Sequence, residues 1–506
     1  MAKKKKRKMH TGILSKHPRG FGFVTCEDIE KDVFIAAGSM GGAMNGDEVE
    51  VDLIHEYLWK QSPEGIIVKV LSRQTEEVAG TFEKSRKFGF VVPESRKYRE
   101  DIFIRKKDFA GAQRGDKVVA RITKYPDHEN SAEGKIIEII SRAGQPGGDI
   151  KAIARSYDMR ESFPSRAAAE AKAMKKRGIR PEDLRGRRDL RNETIFTIDG
   201  ADSKDFDDAV SLKILDNGNY LLGVHIADVA HYVEEDGPLD KEALKRGTSV
   251  YLIDQVIPML PKALSNNICS LNPGEDRLTL SVDMEITPDG ELAGHEIYES
   301  VIHSKARLVY DDISDMLEND DEEMLRKYSS IKEDLYAMGR LAALLREKRS
   351  QRGSLDFDLD EAHIRLNNKG IPVSVDIAER RTANKLIEEF MLLANETVAE
   401  HFFWLEVPFI YRIHEKPAFE KVEQLKIFLQ SMGMTLRGSA DSVHPRELSS
   451  ILKSVEGKPS EGVVNTVTLR SMQKAFYGTS CEGHFGLALK YYCHFTSPIR
   501  RYPDLM

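Results

Sequence analysis

Cysteine is scarce in this chain: Cys26, Cys269, Cys481 and Cys493 are the only four in 506 residues. That rules against a disulfide-stapled secreted module and fits a reducing compartment. No apolar run approaches the roughly 18 residues that a membrane helix requires. No charged-then-apolar leader opens the chain, so a cytoplasmic protein with no membrane partner is expected. A Gly-x-x-x-x-Gly-Lys-Ser/Thr loop is also missing, which leaves a phosphate-loop ATPase motor without support. Positive charge is not in excess either, with 75 Lys and Arg against 82 Asp and Glu and a net charge of −7. A net sign excludes a nucleic-acid partner only when charge is spread evenly, and here it is not. Lys84 to Lys107 holds nine basic residues against three acids, whereas Asp311 to Glu323 holds eight acids in thirteen positions, most simply a solvated helix and turn. A chain this long is expected to divide into roughly three or four domains.

The first feature present is a basic arm, Lys3 to Lys8, with nothing apolar to fold around. It could contact phosphates, act as an import signal, or merely solubilise. An internal repeat follows. Gly20-Phe21-Gly22-Phe23-Val24, Asp32-Val33-Phe34-Ile35 and Gly46-Asp47 recur as Lys87-Phe88-Gly89-Phe90-Val91, Asp101-Ile102-Phe103-Ile104 and Gly115-Asp116, at an offset of 67 to 69 residues. Short alternating strands with Gly and Asp turns predict one small β-barrel per copy, over 9–75 and 76–142. Phe21 and Phe23, like Phe88 and Phe90, project from one strand face beside Arg19, Arg86 and Lys87. Such rings either fill a barrel core or stack on bases, and the glycine between them is expected to leave their faces open. The segments resemble cold-shock domains, which are OB-type barrels that hold single-stranded nucleic acid. From 143 to 190 the chain reads as a linker and an Ala- and Lys-rich helix, closing on basic Arg185 to Arg191. That basic run suits a solvated loop as well as a phosphate contact.

Thr197 to Val210 then crowds Asp199, Asp202, Asp205, Asp207 and Asp208 beyond a β-leaning lead-in that Gly200 breaks. Carboxylates on a loop beside a buried strand suit a hard divalent cation, and a solvated acidic turn suits the same spacing. Val210 to Leu215 and Tyr220 to Ile226, joined through Asn217-Gly218, predict a hairpin. His225, Asp228 and His231 lie at a spacing that sends successive members to opposite strand faces, which argues against zinc. Cys481, His484, Cys493 and His494 lack a paired Cys-x-x-Cys spacing and are discounted likewise. Apolar residues at helical spacing between Arg380 and Phe403 predict a long amphipathic helix carrying Glu388 and Glu389.

Six segments in one order resemble the RNase II and RNase R family of exoribonucleases, and its bacterial RNase R branch above all. They are Thr197 to Val210, Gly223 to Val229, Ile257 to Pro261, Tyr411 to His414, Gly483 to Leu489 and His494 to Leu505. The resemblance implies a multidomain fold: two N-terminal OB-type cold-shock barrels, then an α+β RNB-type catalytic domain over 191–506. It implies that Asp199, Asp205, Asp207 and Asp208 form a Mg²⁺ site, with Mn²⁺ as a substitute, and that Arg500 clamps the scissile phosphate. It further implies that Tyr251, Tyr310 and Phe357 surround the last nucleotides and that one of Glu388 and Glu389, assigned as Glu389, senses the ribose. Phe21, Phe23, Phe34, Phe88, Phe90 and Phe103 are the implied barrel contacts to RNA. The implied reaction is processive 3′-to-5′ hydrolysis of single-stranded or 3′-tailed RNA to nucleoside 5′-monophosphates, by a monomer. An RNA-binding protein with an inactive nuclease domain is the alternative. Relatives continue past the Arg-Arg-Tyr segment with a further acidic residue and a C-terminal OB-type module, so a chain truncated in its catalytic domain is expected.

Overall fold

The computed structural model describes residues 9–55, 62–95, 97–98, 100–127, 130–357, 361–439 and 442–506. The basic arm falls outside them. The chain divides into two compact units, one comprising the chain up to Glu161 with Leu252–Gln255 and Ile364–Ser374, the other the remainder.

The first unit contains two closed five-stranded barrels. In one, the strands Met9–Lys16, Gly22–Cys26, Val33–Ile35, Glu64–Ser72 and Glu48–His55 are neighbours in that order. In the other, Glu133–Ser141, Ile102–Arg105, Phe88–Pro93, Glu77–Lys84 and Lys117–Lys124 repeat the arrangement. Strict alternation along Met9–Lys16 turns every second side chain inward. Leu14, Val24, Val33, Ile35, Val49 and Val51 fill the first interior, and Phe82, Val91, Ile102, Ile104 and Val118 the second.

The repeated Gly-Asp pair is a structural device. Gly46 and Gly115 take φ of +85° and +84°, a region glycine enters without strain. The aspartate that follows is buried. Asp47 accepts from the amides of Met44 and Gln74 at 2.8 and 3.1 Å and from Arg73 at 2.8 Å. Asp116 repeats this with Gln113, Ala143 and Arg142 at 2.9, 3.0 and 2.7 Å. Each barrel is thus closed by one carboxylate that satisfies two loop amides and one arginine.

The glycines between the aromatics serve a different purpose from the one expected. A Cβ on Gly89 would stand 2.4 and 2.7 Å from the buried Phe82 ring, and one on Gly22 would stand 2.9 Å from both Leu14 and the Ser15 carbonyl. These glycines face inward and make room in the barrel core. They do not act by uncovering the rings.

The second unit is built on a seven-stranded sheet in the order Arg188–Asp189, Leu292–His303, Asp276–Ile286, Tyr220–Ala227, Asp208–Ile214, Phe196–Asp199, Ala306–Val309. The predicted hairpin forms, pairing Ile214 with Tyr220 across a turn with Gly218 at φ +83°. Leu222 to Ala227 is buried without a break, as expected for a strand covered on both faces. One layer brings Leu335, Met338 and Leu341 of the helix Lys332–Arg352 and Leu386, Phe390 and Ala394 of the helix Thr382–Trp404 against Val210, Leu222 and Val224. The other packs Ala167, Ala171, Leu239 and Ala243 against Ile195, Ala209 and Val301. A third cluster joins the helices Phe419–Ser431 and Pro445–Val455 around Leu425, Leu429 and Leu452. Among the described residues no helix is long and apolar enough to cross a membrane.

Candidate active site

The acidic loop leaves the sheet at Asp199, the last residue of the strand Phe196–Asp199, and rejoins it at Asp208, the first residue of Asp208–Ile214. Phe206 fixes the loop between those points: its ring is 4% exposed in the core, and its amide donates to Ser270 Oγ at 3.0 Å. With Phe206 turned inward, the flanking Asp205 and Asp207 face away from it. Asp207 is anchored twice, its carbonyl accepting from Ala227 N at 2.9 Å and its Oδ1 from Ile499 N at 2.7 Å. Asp202 is exposed and apart from the others.

Asp199, Asp205, Asp207 and Asp208 line one cleft of about 690 Å³ together with Tyr251, Tyr310, Arg380, Glu388, Arg500 and Arg501. The Tyr251 hydroxyl donates to Asp205 Oδ2 at 2.7 Å. Arg500 lies 3.4 Å from Asp207 Oδ2 through Nε and donates through Nη2 to Ser497 Oγ at 2.9 Å. Arg501 is held by Asp504 at 2.7 Å. Burial, and then the charges of Asp208 and Asp205, push Asp199 up to about 8. Burial pushes Asp208 to about 6 against the pull of Arg500 and Arg501, and raises Asp207 well above the ordinary carboxylate range.

The shared first cause of these shifts is burial, to which neighbouring carboxylates add at Asp199 and Asp207. Asp199 Oδ2 and Asp207 Oδ2 are buried and accept no hydrogen bond, although buried carboxylate oxygens are normally satisfied. Among the described residues no three acidic, His or Cys side chains enclose an ion-sized point as they stand. The donor set is nevertheless all oxygen, carries two orphaned lone-pair bearers and has surplus negative charge, and so it fits a hard divalent cation.

Not every expected residue reaches the cleft. Glu389 is 3% exposed and points into the protein, where Arg349 Nη2 donates to it at 2.6 Å and Nε at 3.0 and 3.1 Å. Its neighbour Glu388 lines the cleft instead. Adjacent helical residues diverge by about 100°, so only one of the pair can face the cleft. Phe357 likewise is not among the lining residues; its half-buried ring packs with the third apolar cluster. Sequence reasoning missed Arg380, Asn384, Asn395 and Arg501, all of which line the cleft. For Arg501 the adjacent Arg500 was a usable signal.

The two residue groups weighed for zinc do not converge. His225 sits between Ser211 Oγ at 3.0 Å and Ser281 Oγ at 2.7 Å, Asp228 pairs with Arg187, and His231 accepts from Arg177 at 3.0 Å. His494 meets the Tyr477 hydroxyl at 2.7 Å, while Cys493 donates to the Asn395 carbonyl at 3.2 Å.

Each barrel carries an aromatic triad on its outer face. The centroids of Phe21, Phe23 and Phe34 lie 5.7 to 5.8 Å apart, and those of Phe88, Phe90 and Phe103 lie 5.5 to 5.8 Å apart. Phe88 is 40% exposed and the other five are half-buried, whereas the alternating neighbours Val24, Val33, Val91 and Ile102 are fully inside. The triads therefore do not form the barrel core. His17 stacks on Phe21 at 4.3 Å in the first barrel.

Comparison with known proteins gives three family matches: the RNB domain over residues 187–506, a ribonuclease B OB domain over 12–70 and a cold shock domain over 90–164. Ribonuclease R of Thermotoga maritima is 45% identical over 487 residues, covering 96% of this chain and 68% of that protein. Ribonuclease R 1 of Lactococcus lactis is 43% identical, with 98% and 62% covered, and ribonuclease R of Escherichia coli 36% identical, with 98% and 60% covered. The chain thus spans between 60% and 68% of the length of these relatives. Among solved structures, Mycoplasma genitalium RNase R in complex with ribose-methylated single-stranded RNA superposes with a TM-score of 0.88 at 27% identity, covering 98% of this chain and 78% of that one. Yeast Ssd1, described as a pseudonuclease, has the same fold with a TM-score of 0.72 at 20% identity, covering 98% of this chain and 67% of that one.

Proposed function

The chain belongs to the RNB-domain family, among its ribonuclease R members, and from that premise we propose that it hydrolyses single-stranded and 3′-tailed RNA from the 3′ end, processively, to nucleoside 5′-monophosphates. The observation that carries the reading is the cleft itself, where four aspartates with two orphaned oxygens lie beside Arg500. A fold shared with a pseudonuclease does not by itself imply catalysis.

Asp199, Asp205, Asp207 and Asp208 would hold Mg²⁺, or Mn²⁺ in its place. When bound, the cation supplies charge neutralisation at the scissile phosphate and lowers the pKa of an attacking water. Arg500 is loosely held by its partners, at 3.4 and 2.9 Å, and retains N–H groups for a phosphate oxygen. Asp207, fixed by Ile499 N through Oδ1, leaves Oδ2 without a hydrogen bond, 3.4 Å from Arg500 Nε. Tyr251 and Tyr310 flank the acids and offer rings to the terminal bases. Glu388, in the place assigned to Glu389, would accept a hydrogen bond from the ribose 2′-hydroxyl, the group that separates RNA from DNA. The two aromatic triads would hold the incoming strand, sequence-tolerantly, at about 1–3 kcal/mol per stacked base.

A 3′-tailed RNA labelled uniformly along the strand tests this. The expected result is stepwise shortening with mononucleotide release in Mg²⁺, lost on chelation and in Asp208→Asn, with RNA binding retained. Tight RNA binding with no product in Mg²⁺ or Mn²⁺ would refute hydrolysis and leave the chain as an RNA-binding member of the family.

A further inference from the structure

We propose that Arg380 is a positioning residue for ribose selection: held by Asp356, which Arg346 holds in turn, it fixes the Glu388 carboxylate in the one orientation that receives a 2′-hydroxyl. The inference rests on the reading of Glu388 as the ribose acceptor and identifies what sets that acceptor's geometry.

A glutamate on a cleft wall has three rotatable side-chain bonds, and ordering it only when substrate arrives would cost affinity. Glu388 is already ordered. Arg380 donates through Nε to Oε2 at 2.9 Å and through Nη2 to Oε1 and Oε2, both at 2.5 Å. Its other edge is committed as well, with Nη1 donating to Asp356 Oδ1 at 2.8 Å. Asp356 in turn accepts from Arg346 Nη2 through Oδ2 at 2.8 Å. Four charged groups thus stand in a row from the helix Lys332–Arg352 to the cleft: Arg346, Asp356, Arg380, Glu388. The backbone beside Arg380 is pinned too. Arg381 pairs with Asp315 and Glu318, each at 2.7 Å, and Thr382 N donates to Glu318 Oε1 at 2.8 Å.

The commitment of both edges distinguishes Arg380 from Arg500. A guanidinium clamps a phosphate through a free pair of N–H groups. Arg380 spends its pairs on two carboxylates, so although it lines the cleft it serves a neighbouring side chain. Glu388 Oε1 accepts a hydrogen bond from Arg380 Nη2, has Arg349 Nη2 at 3.7 Å, beyond hydrogen-bond distance, and keeps a lone pair for a donor. A site built to bond a substrate hydroxyl rejects the analogue that lacks it, provided the acceptor cannot swing away to another partner. The Arg380 fork enforces that condition. A lysine, with its point charge on a flexible stem, would not hold the carboxylate in this way.

The test compares two RNA oligonucleotides of one sequence, the second with 2′-deoxyribose in its last two nucleotides. Two readouts are taken on the whole chain: kcat/KM for mononucleotide release in Mg²⁺, and Kd by fluorescence anisotropy in EDTA. Arg380→Lys, Arg380→Gln and Asp356→Asn are each expected to lower the ribo-over-deoxy ratio by about tenfold or more, with the loss falling on the ribo substrate. In a Glu388→Gln background the same changes should add nothing to the ratio. A ratio unchanged by all three variants, or one lowered equally with and without Glu388, overturns the proposal. Thermal unfolding of each variant separates these outcomes from a folding defect, and the charge-conserving Arg380→Lys together with Asp356→Asn provides two independent routes. Failure of the functional reading is distinct: the wild type then releases nothing, and discrimination is judged from the Kd ratio alone.

Discussion

Glu389→Ala should unfold the second unit more easily without touching the chemistry. Glu389 and Arg349 are 3% and 7% exposed at their side chains and share three hydrogen bonds, with Arg349 Nη1 donating also to Ser354 Oγ at 2.9 Å. Removing one partner of such a pair leaves a buried charge uncompensated, which costs about 3–5 kcal/mol. Two more carboxylates stand near the orphaned guanidinium, Glu388 at 3.7 Å and Asp356 at 3.9 Å, so the loss should fall toward the lower end, about 3 kcal/mol. At about 2–4 °C per kcal/mol for a domain of this order, Tm should drop by several degrees. Arg349→Met combined with Glu389→Leu removes both charges and should recover most of that loss. The assay is thermal and urea denaturation followed by circular dichroism, alongside mononucleotide release normalised to folded protein. Glu388→Ala should give the reverse pattern, with little change in Tm and a clear loss of ribose discrimination. An unchanged Tm in Glu389→Ala together with lost discrimination would refute the assignment and return the ribose contact to Glu389.

Three further outcomes are expected. Phe88→Ala, at the most exposed ring of its triad, should weaken single-stranded RNA binding by about 1–3 kcal/mol in anisotropy titrations and leave Tm nearly unchanged. Gly89→Ala should do the opposite, costing about 1–3 kcal/mol of barrel stability because its Cβ would meet the Phe82 ring, detectable as an earlier urea transition. Burial pushes His225 down to about 3 from its ordinary value, so below pH 6.5 the unfolded chain takes up a proton that the folded one refuses. Its contribution is therefore intact above about pH 6.5 and stability falls with decreasing pH, by about 1.4 kcal/mol per unit from this group alone. His225→Gln should flatten that slope between pH 7 and 5, and an unaltered slope would count against the assignment.

What could be read in advance was the part written locally. The barrels announced themselves because each turn is built from consecutive residues, Gly46-Asp47 or Gly115-Asp116, whose geometry repeats with the letters. The hairpin at Asn217-Gly218 and the helix carrying Glu388 were legible for the same reason. The acidic residues could be listed, yet their convergence on Arg500 came from the order of motifs along the chain. Choices between neighbours were not legible. Whether Glu388 or Glu389 faces the cleft depends on Arg349, forty positions earlier, which claims one of them for the interior. The packing of Phe357 was not legible either, because its half-buried ring joins a cluster whose helices begin more than sixty residues later. The role of Gly89 was hidden in Phe82, a ring that gives no local sign of where it will lie.

The amide of Ile499 closes on Asp207 Oδ1 across 292 positions of chain. During synthesis at about 5–20 residues per second, the acidic loop leaves the ribosome roughly 15–60 s before the residue that locks it. For that interval the four aspartates exist without the Ile499 bond and without Arg500. A nascent chain therefore carries its acidic loop unlocked, and the cleft is assembled only once the Thr-Ser-Pro-Ile-Arg-Arg segment has emerged.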